Sequence, residues 1–166
     1  TSVIGSRAIT ITEKNYFQEI YRFKKIYSEL SSRLNTKNYD IVHINTSCSK
    51  FGLIRDCFLA KKAKRKKTKV VVHFHCDTSY MVKGKLHRYY FLKLCEIADR
   101  IFCLNTSSQK HIKIISNKES IIIPNFIDFD SKLMEKFEKI ISDEIKNIIY
   151  VGHIVKRKGC DDIISV

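Results

Sequence analysis

The stretch Lys69-Val70-Val71-Val72-His73-Phe74-His75-Cys76-Asp77 decides the fold that we predict for this chain. Its run of valines does not alternate with polar residues, which is typical of a central strand buried on both faces of a parallel α/β sheet. Ligands of such sheets bind just beyond the carboxyl ends of the strands. His75 ends the run and precedes a polar loop, so we predict a functional residue there. His73 lies on the same side of the strand but is more typical of a core group.

β-Branched runs and amphipathic stretches alternate on both sides of this strand. Strands are predicted to begin near residues 40, 69 and 100, which is the spacing of βαβ units. The predicted fold is therefore α/β, with a Rossmann-like, mostly parallel sheet and flanking helices. The predicted helices cover residues 16–34, 51–66, 86–98, 107–115, 131–145 and 160–166, and the predicted strands cover residues 40–45, 70–75, 100–104, 120–123 and 147–152.

Composition indicates a globular protein with one ordinary core. The chain has 166 residues, of which 44% are hydrophobic. No apolar run approaches the length of a membrane-spanning helix, about 20 residues, and the first residues do not resemble a secretory signal. The 6 cysteines lack the spacing of a zinc site or a disulfide framework, so we interpret them as buried side chains in a reduced protein. We therefore expect a cytoplasmic protein without a metal site.

Positive charge is the other strong feature of the composition. The 31 Lys and Arg residues outnumber the 17 Asp and Glu residues, which gives a net charge of +14. Such a charge predicts attraction to polyanions, whether anionic lipid, nucleic acid or phosphorylated substrates. No basic motif interleaved with aromatic residues appears, so nucleic acid is not the expected partner.

A basic cluster ends the predicted helix 51–66. It can lie on an anionic membrane leaflet, where each charge contributes about 1 kcal/mol, or it can be a solvated helix end. The first interpretation predicts a peripheral protein at the inner face of the cell membrane. A non-catalytic basic module that binds anionic lipid or nucleic acid is therefore the alternative to an enzyme. The cluster comprises Lys61, Lys62, Lys64, Arg65, Lys66 and Lys67.

Small polar residues close the strands that flank the valine run. Asn45 and Thr46 end the preceding strand, and Asn105 ends the following one. Their side chains suit sugar hydroxyls or phosphate oxygens, but the same residue types are ordinary helix caps. Both interpretations stay open. His43, within the preceding strand, is more typical of the core.

A basic turn follows the last predicted strand. It contains His153 and Lys158 and leads into a predicted helix, and backbone N–H groups at a helix start with a lysine beside them form an anion site. No Gly-x-Gly-x-x-Gly pattern follows any predicted strand, which argues against a dinucleotide-dependent oxidoreductase.

Five short motifs occur in order along residues 40–166. They are Asp40-Ile41-Val42-His43, Val71-Val72-His73-Phe74-His75, Ala98-Asp99-Arg100-Ile101-Phe102-Cys103-Leu104-Asn105, Ile122-Ile123-Pro124-Asn125-Phe126-Ile127-Asp128 and Tyr150-Val151-Gly152-His153, which continues to Lys158-Gly159. This succession resembles family 4 (group 1) glycosyltransferases of the GT-B fold. Three positions depart from the family pattern, since Phe126 replaces a usual glycine, Asn105 stands where serine is common, and His153 stands where arginine is expected.

The resemblance implies an enzyme that holds a nucleotide sugar between two Rossmann-like domains. It implies transfer of the sugar to a saccharide or lipid-linked acceptor with retention, without a metal or other cofactor. By motif position, His75 is the catalytic candidate near the donor sugar and the acceptor. Lys158 matches the lysine that neutralises the leaving diphosphate, and His153 stands where the family has a diphosphate-binding arginine. Asn125 lies in the turn that leads to the hinge and is expected to contact substrate.

The resemblance also predicts the domain organisation. Residues 1–146 are expected to form the amino-terminal, acceptor-side domain, and residues 147–166 the start of the nucleotide-sugar-binding domain. The family's glycine-rich amino-terminal loop and the paired glutamates of its second domain are absent from the sequence. We therefore expect a fragment with little or no transferase activity of its own. The sequence does not specify the donor sugar, the acceptor or the oligomeric state.

Overall fold

The computed structural model describes residues 16–125. The chain divides into two compact units, Thr1–Phe126 and Ile127–Val166, and the described residues all belong to the first. The domain boundary predicted after residue 146 lies outside the described residues, as do the elements predicted at 131–145, 147–152 and 160–166. These stay predictions.

Helices and strands alternate as the sequence predicted, with ends that differ from the predicted ones by at most two residues. The structure has one helix in this part of the chain that was not predicted, α3, which is a single turn in the loop after β2. A single turn is too short to produce a periodic pattern in the sequence. In chain order the described elements are α1 (Tyr16–Thr36), β1 (Ile41–Thr46), α2 (Lys50–Arg65), β2 (Lys69–Phe74), α3 (Thr78–Met81), α4 (Lys85–Ile97), β3 (Arg100–Cys103), α5 (Thr106–Ser116) and β4 (Ile121–Ile122).

The strands form one parallel sheet in the order β1-β2-β3-β4. Thr46 pairs with Phe74, and Phe74 pairs with Cys103, so the first three strands end level with one another. Their carboxyl ends therefore form a common edge, which we call the carboxyl edge. The prediction of a Rossmann-like α/β fold with a parallel sheet and flanking helices is confirmed.

One face of the sheet carries the core. Val70, Val72 and Phe74 alternate along β2 and join the same buried cluster as side chains of α2, α4 and α5. The Phe74 ring lies 4.8 Å from the Phe91 ring of α4, and both side chains are fully buried. Burial of a side chain of this size stabilises the fold by about 1.5–3 kcal/mol relative to exposure.

The opposite face of the sheet presents a different set of side chains. Asn45, His73, Phe102 and Ile121 pair in one row across the four strands. His73 is only 7% exposed, whereas Val71 on the same face is half-buried and Ile121 is exposed. The prediction that β2 is buried on both faces is therefore confirmed at His73 and only partly at Val71.

The start of α2 depends on a close contact. The Ser49 side chain accepts a hydrogen bond from the Gly52 N–H at 3.1 Å, which satisfies one unpaired backbone donor of the first turn. A Cβ atom at Gly52 would lie 2.6 Å from Ser49 Oγ, so a larger residue there would displace the capping hydroxyl. The loop after β1 is thereby fixed against α2.

The described cysteines are free thiols, and all of them except Cys76 are buried. Burial raises the pKa of the Cys57 and Cys95 thiols to about 12, so they stay protonated at neutral pH. Over residues 16–125, no helix has the length and apolar character needed to cross a membrane.

Candidate functional site at the carboxyl edge

His75 is the first residue after β2 and stands at the carboxyl edge. Its backbone N–H donates to the Thr46 carbonyl at 2.8 Å, which extends the pairing of β1 and β2 by one residue. The side chain is exposed. The sheet therefore fixes the His75 backbone while its imidazole is open to solvent and to a ligand.

Three imidazoles line up on the face opposite the core. The His75 ring lies 3.9 Å from the His73 ring, centroid to centroid, and the His73 ring stacks on the His43 ring at 5.9 Å with an interplanar angle of 7°. Phe102 packs edge-on against His43 and His73, at 6.2 and 5.9 Å. The prediction that His73 and His75 face the same side of β2 is confirmed, and the three rings lead from the sheet face to its edge.

The imidazoles of His43 and His73 favour the neutral form. Burial lowers the pKa of His73, and the neighbouring His75 and His43 lower it further. His43 is exposed, so the expectation of a core position is wrong, but its partial burial and His75 still lower its pKa. His73 Nε2 is buried and has no hydrogen-bond partner within the described part of the chain. A neutral His73 thus lies behind the exposed His75, whose imidazole can hydrogen-bond a ligand at the edge.

A cluster of hydroxyl and carboxylate groups follows His75 in the loop. Asp77 accepts from the Ser79 N–H at 3.0 Å and from the Ser79 hydroxyl at 2.6 Å. The Ser79 and Ser107 hydroxyls lie 3.0 Å apart, which joins α3 to the first turn of α5. The hydrogen bond from the Ser79 hydroxyl is the main reason that the pKa of Asp77 is lowered. Sequence reasoning did not single out these residues, although the polar loop after the valine run was visible.

The segment that follows β2 is also tied to α5 inside the protein. Ser108 is fully buried, and its hydroxyl accepts from the Thr78 N–H at 3.1 Å and donates to the Cys76 carbonyl at 3.2 Å. The Thr78 hydroxyl lies 3.1 Å from His111 Nδ1. The backbone that follows His75 is therefore held by α5.

Asn45 and Thr46 have different positions. Asn45 is exposed on the face of the histidine row and pairs with His73 across the strands. Thr46 is fully buried on the core face, where its hydroxyl accepts from the Cys48 N–H at 3.3 Å and hydrogen-bonds the buried Asp56. The prediction that the Thr46 side chain contacts substrate is corrected, because strand alternation turns it into the core.

Asn105 is the N-cap of α5. Its side-chain oxygen accepts from the Ser108 N–H at 2.8 Å, so the helix-cap interpretation is confirmed. Asn125 is exposed beyond β4. Substrate contacts of Asn105 and Asn125 stay predictions. His153 and Lys158 lie outside the described residues, and their predicted role in diphosphate binding stays a prediction as well.

The basic cluster of residues 61–67 lies at the opposite edge of the sheet, since it ends α2 and precedes the first residue of β2. Lys64 Nζ lies 2.9 Å from each carboxylate oxygen of Asp99, which also accepts from the Val70 N–H at 2.7 Å. A groove of about 530 Å³ lies between the ends of α2 and α4, lined in part by Lys61, Arg65 and Lys93. This groove is separate from His75.

The histidine row does not form a metal centre. Within residues 16–125, no group of three or more His, Cys, Asp or Glu side chains is arranged to hold a metal ion. The predicted absence of a metal in the function stays a prediction.

Comparison with known proteins places this fold and edge in context. A family model described as Glycosyltransferase Family 4 matches residues 7–131, which include every described element and His75. An "uncharacterized 41.2 kDa protein in cps region" of Klebsiella pneumoniae is 24% identical over 176 aligned residues, which cover 97% of this chain and 49% of that protein. The chain thus spans about half the length of the curated relative it matches.

Proposed function

Because this chain belongs to glycosyltransferase family 4, we propose that it forms the acceptor side of an enzyme that transfers a sugar from a nucleotide sugar with retention. The acceptor in this proposal is a saccharide or a lipid-linked saccharide. The observation that carries the proposal is the position of His75, exposed at the carboxyl edge, where parallel sheets bind ligands.

His75 is proposed to contact the reacting sugar and the acceptor. Its backbone is fixed by the bond to Thr46, so the imidazole projects from a rigid strand end rather than from a free loop. His73 behind it has a lowered pKa, so the ring next to His75 favours its neutral form. An imidazole in this position can hydrogen-bond a sugar hydroxyl as charge develops at the breaking glycosidic bond.

Sugar hydroxyls also suit the other polar groups of the edge. Asn45, Ser79 and Ser107 are exposed there, and each can donate and accept a hydrogen bond. Asn105 and Asn125 complete the proposed substrate contacts. These small neutral groups support a carbohydrate ligand rather than an apolar one.

Lys158 and His153 are proposed to bind the leaving diphosphate. A lysine beside the diphosphate stabilises the negative charge that develops when the bond to the sugar breaks, without a metal ion. The relative in the cps region supports a role in polysaccharide synthesis.

Calorimetric titration of the whole protein with common UDP- and GDP-sugars tests the proposal. We expect saturable binding of at least one nucleotide sugar, weakened in Lys158→Ala because the diphosphate loses its cation. The control is Lys118→Ala, an exposed lysine on the loop after α5. If none of the tested nucleotide sugars binds, the proposal is contradicted.

The alternative is a non-catalytic basic module that binds anionic lipid or nucleic acid. The net charge of +14 and the exposed cluster of residues 61–67 favour it. Its signature is salt-sensitive binding to anionic vesicles or oligonucleotides that is unchanged in His75→Ala, in a whole protein that transfers no sugar.

A further inference from the structure

We infer that residues 79–89, here called the docking surface, rest on an anionic lipid bilayer and so place His75 at the membrane. The inference deepens the proposed function and rests on it in one respect, the lipid-linked acceptor. The exposed apolar side chains, the positive charge and the buried anchors of this segment support attachment to the bilayer independently of the proposed function.

Three large apolar side chains are exposed on the docking surface. Tyr80, Leu86 and Tyr89 are 63%, 60% and 54% exposed. Leu86 and Tyr89 are three residues apart on α4, so they lie side by side on one face of the helix. Single exposed hydrophobic residues are ordinary, but several within one short segment mark an interaction surface. Tyrosine suits a bilayer interface because its ring is apolar and its hydroxyl stays in water.

Positive charge surrounds these apolar side chains. Lys83, Lys85 and Arg88 are exposed between them, and no acidic residue occurs from Thr78 to Cys95. Lys83 Nζ lies 4.4 Å from the centre of the Tyr80 ring. Lysine and arginine next to aromatic rings bind anionic headgroups while their stems cover apolar surface. The charge is therefore complementary to an anionic leaflet.

Two buried anchors hold the docking surface outward. Thr78 is fixed to Ser108 and His111 of α5, and His87 is buried with its Nε2 bonded to the Cys48 carbonyl. None of the residues 79–86 between these anchors is buried. Gly84 has φ +83° and caps α4, and open space surrounds the position of its missing Cβ. The segment is thus an exposed turn on a rigid base, which a flat surface can reach.

The anchors also place the docking surface beside His75. Thr78 follows His75 by three residues, and Cys48 follows Thr46, whose carbonyl binds the His75 N–H. The basic cluster of residues 61–67 lies at the opposite edge of the sheet. A protein attached through that cluster would turn His75 away from the bilayer. The docking surface therefore replaces the cluster as the membrane-facing side in our proposal.

Vesicle binding by the full 166-residue chain tests the inference. We would measure cosedimentation with phosphatidylcholine vesicles that contain or lack phosphatidylglycerol. One variant carries Lys83→Gln, Lys85→Gln and Arg88→Gln, and a second carries Tyr80→Ser, Leu86→Ser and Tyr89→Ser. The control removes the same number of charges from the other edge, with Lys61→Gln, Lys66→Gln and Lys67→Gln. All these positions are exposed, and circular dichroism checks that each variant is folded.

We expect binding only to the anionic vesicles, weakened by about tenfold or more in both docking-surface variants and by less than about twofold in the control. Equal binding to both kinds of vesicle would overturn the inference, as would no binding, or a control that loses as much as the variants. The readout does not involve sugar transfer. Vesicle binding without nucleotide-sugar binding would refute the proposed function alone, and the reverse result would refute the docking surface alone.

A fluorescence measurement adds the depth of insertion. The chain has 0 tryptophan residues, so Leu86→Trp provides a single reporter on the docking surface. We expect a blue shift and quenching by brominated lipid when anionic vesicles are added, and neither effect for Lys66→Trp at the opposite edge. Quenching of Lys66→Trp instead would assign the membrane-facing side to the basic cluster and overturn the inference.

Discussion

The imidazole of His75 lies 3.9 Å from that of His73, centroid to centroid, at the point where the sheet meets its carboxyl edge. His73 is buried in the sheet, whereas His75 is exposed. The pair therefore consists of a buried imidazole and, directly in front of it, an imidazole that a ligand can reach. Burial and the neighbouring His75 both lower the pKa of His73.

The stability of the protein should fall as the pH is lowered through the ordinary pKa of histidine. Burial lowers the pKa of His73 in the folded state from 6.5, so below that value the unfolded chain binds more protons and unfolding is favoured. His43 and His111 have lowered pKa values too and act in the same direction. Denaturation between about pH 7.5 and about pH 5.5 measures the effect.

His73→Phe isolates the contribution of the buried ring. It keeps an aromatic side chain against Phe102 but cannot take up a proton, so its stability should decline less over this pH range than that of the wild type. Equal slopes for the two proteins would show that His73 is not the group responsible.

Asp99→Ala should destabilise the protein more than Lys64→Ala does. Asp99 accepts the Val70 N–H at 2.7 Å, and its removal leaves a strand donor without this partner, which costs about 1–3 kcal/mol. The Lys64 ion pair is partly exposed to solvent and contributes about 0–1 kcal/mol. Chemical denaturation of both variants at neutral pH checks the order. A larger loss in Lys64→Ala would be inconsistent with this account.

Acid should remove the Asp99 contribution. The hydrogen bond from Val70 is the largest cause of its lowered pKa, followed by Lys64, so the stabilisation is present above the ordinary value of 3.8 and lost as the pH falls below it. The difference in unfolding free energy between the wild type and Asp99→Ala should therefore shrink at low pH.

Ser108→Ala should loosen the backbone that follows His75. It removes the acceptor of the Thr78 N–H and the donor to the Cys76 carbonyl, which leaves buried groups unpaired at a cost of about 1–3 kcal/mol. Faster proteolysis within residues 76–83 should accompany the loss. Ser107→Ala is the control, because Ser107 is exposed and should cost less than about 0.5 kcal/mol. Unchanged proteolysis in Ser108→Ala would refute the anchoring role.

The sequence was sufficient for the order and type of the main elements because β-branched runs and helical periodicity are local signals. The level ends of β1, β2 and β3 follow from that pattern, since parallel strands share an edge. His75 could thus be placed at the carboxyl edge from sequence alone. The basic cluster could also have been placed at the opposite edge, because it immediately precedes β2.

The rest depends on tertiary contacts. Thr46 could not be assigned to the core from its neighbours, because its side depends on which face the helices cover. The contact between Ser79 and Ser107 joins α3 to the start of α5, which lie far apart in the sequence. The outward position of residues 79–86 likewise depends on the buried anchors Thr78 and His87, which their residue types do not reveal.

The most direct test of the central claim is sugar transfer by the whole protein with His75→Ala. We expect kcat/KM to fall by about 100-fold or more, because the only exposed imidazole of the described histidine pair is lost from the edge. His43→Ala is the matched control, since His43 lies in the same row but away from the edge, and it should retain transfer within a few-fold. Unchanged transfer in His75→Ala, with both variants folded, would contradict the account.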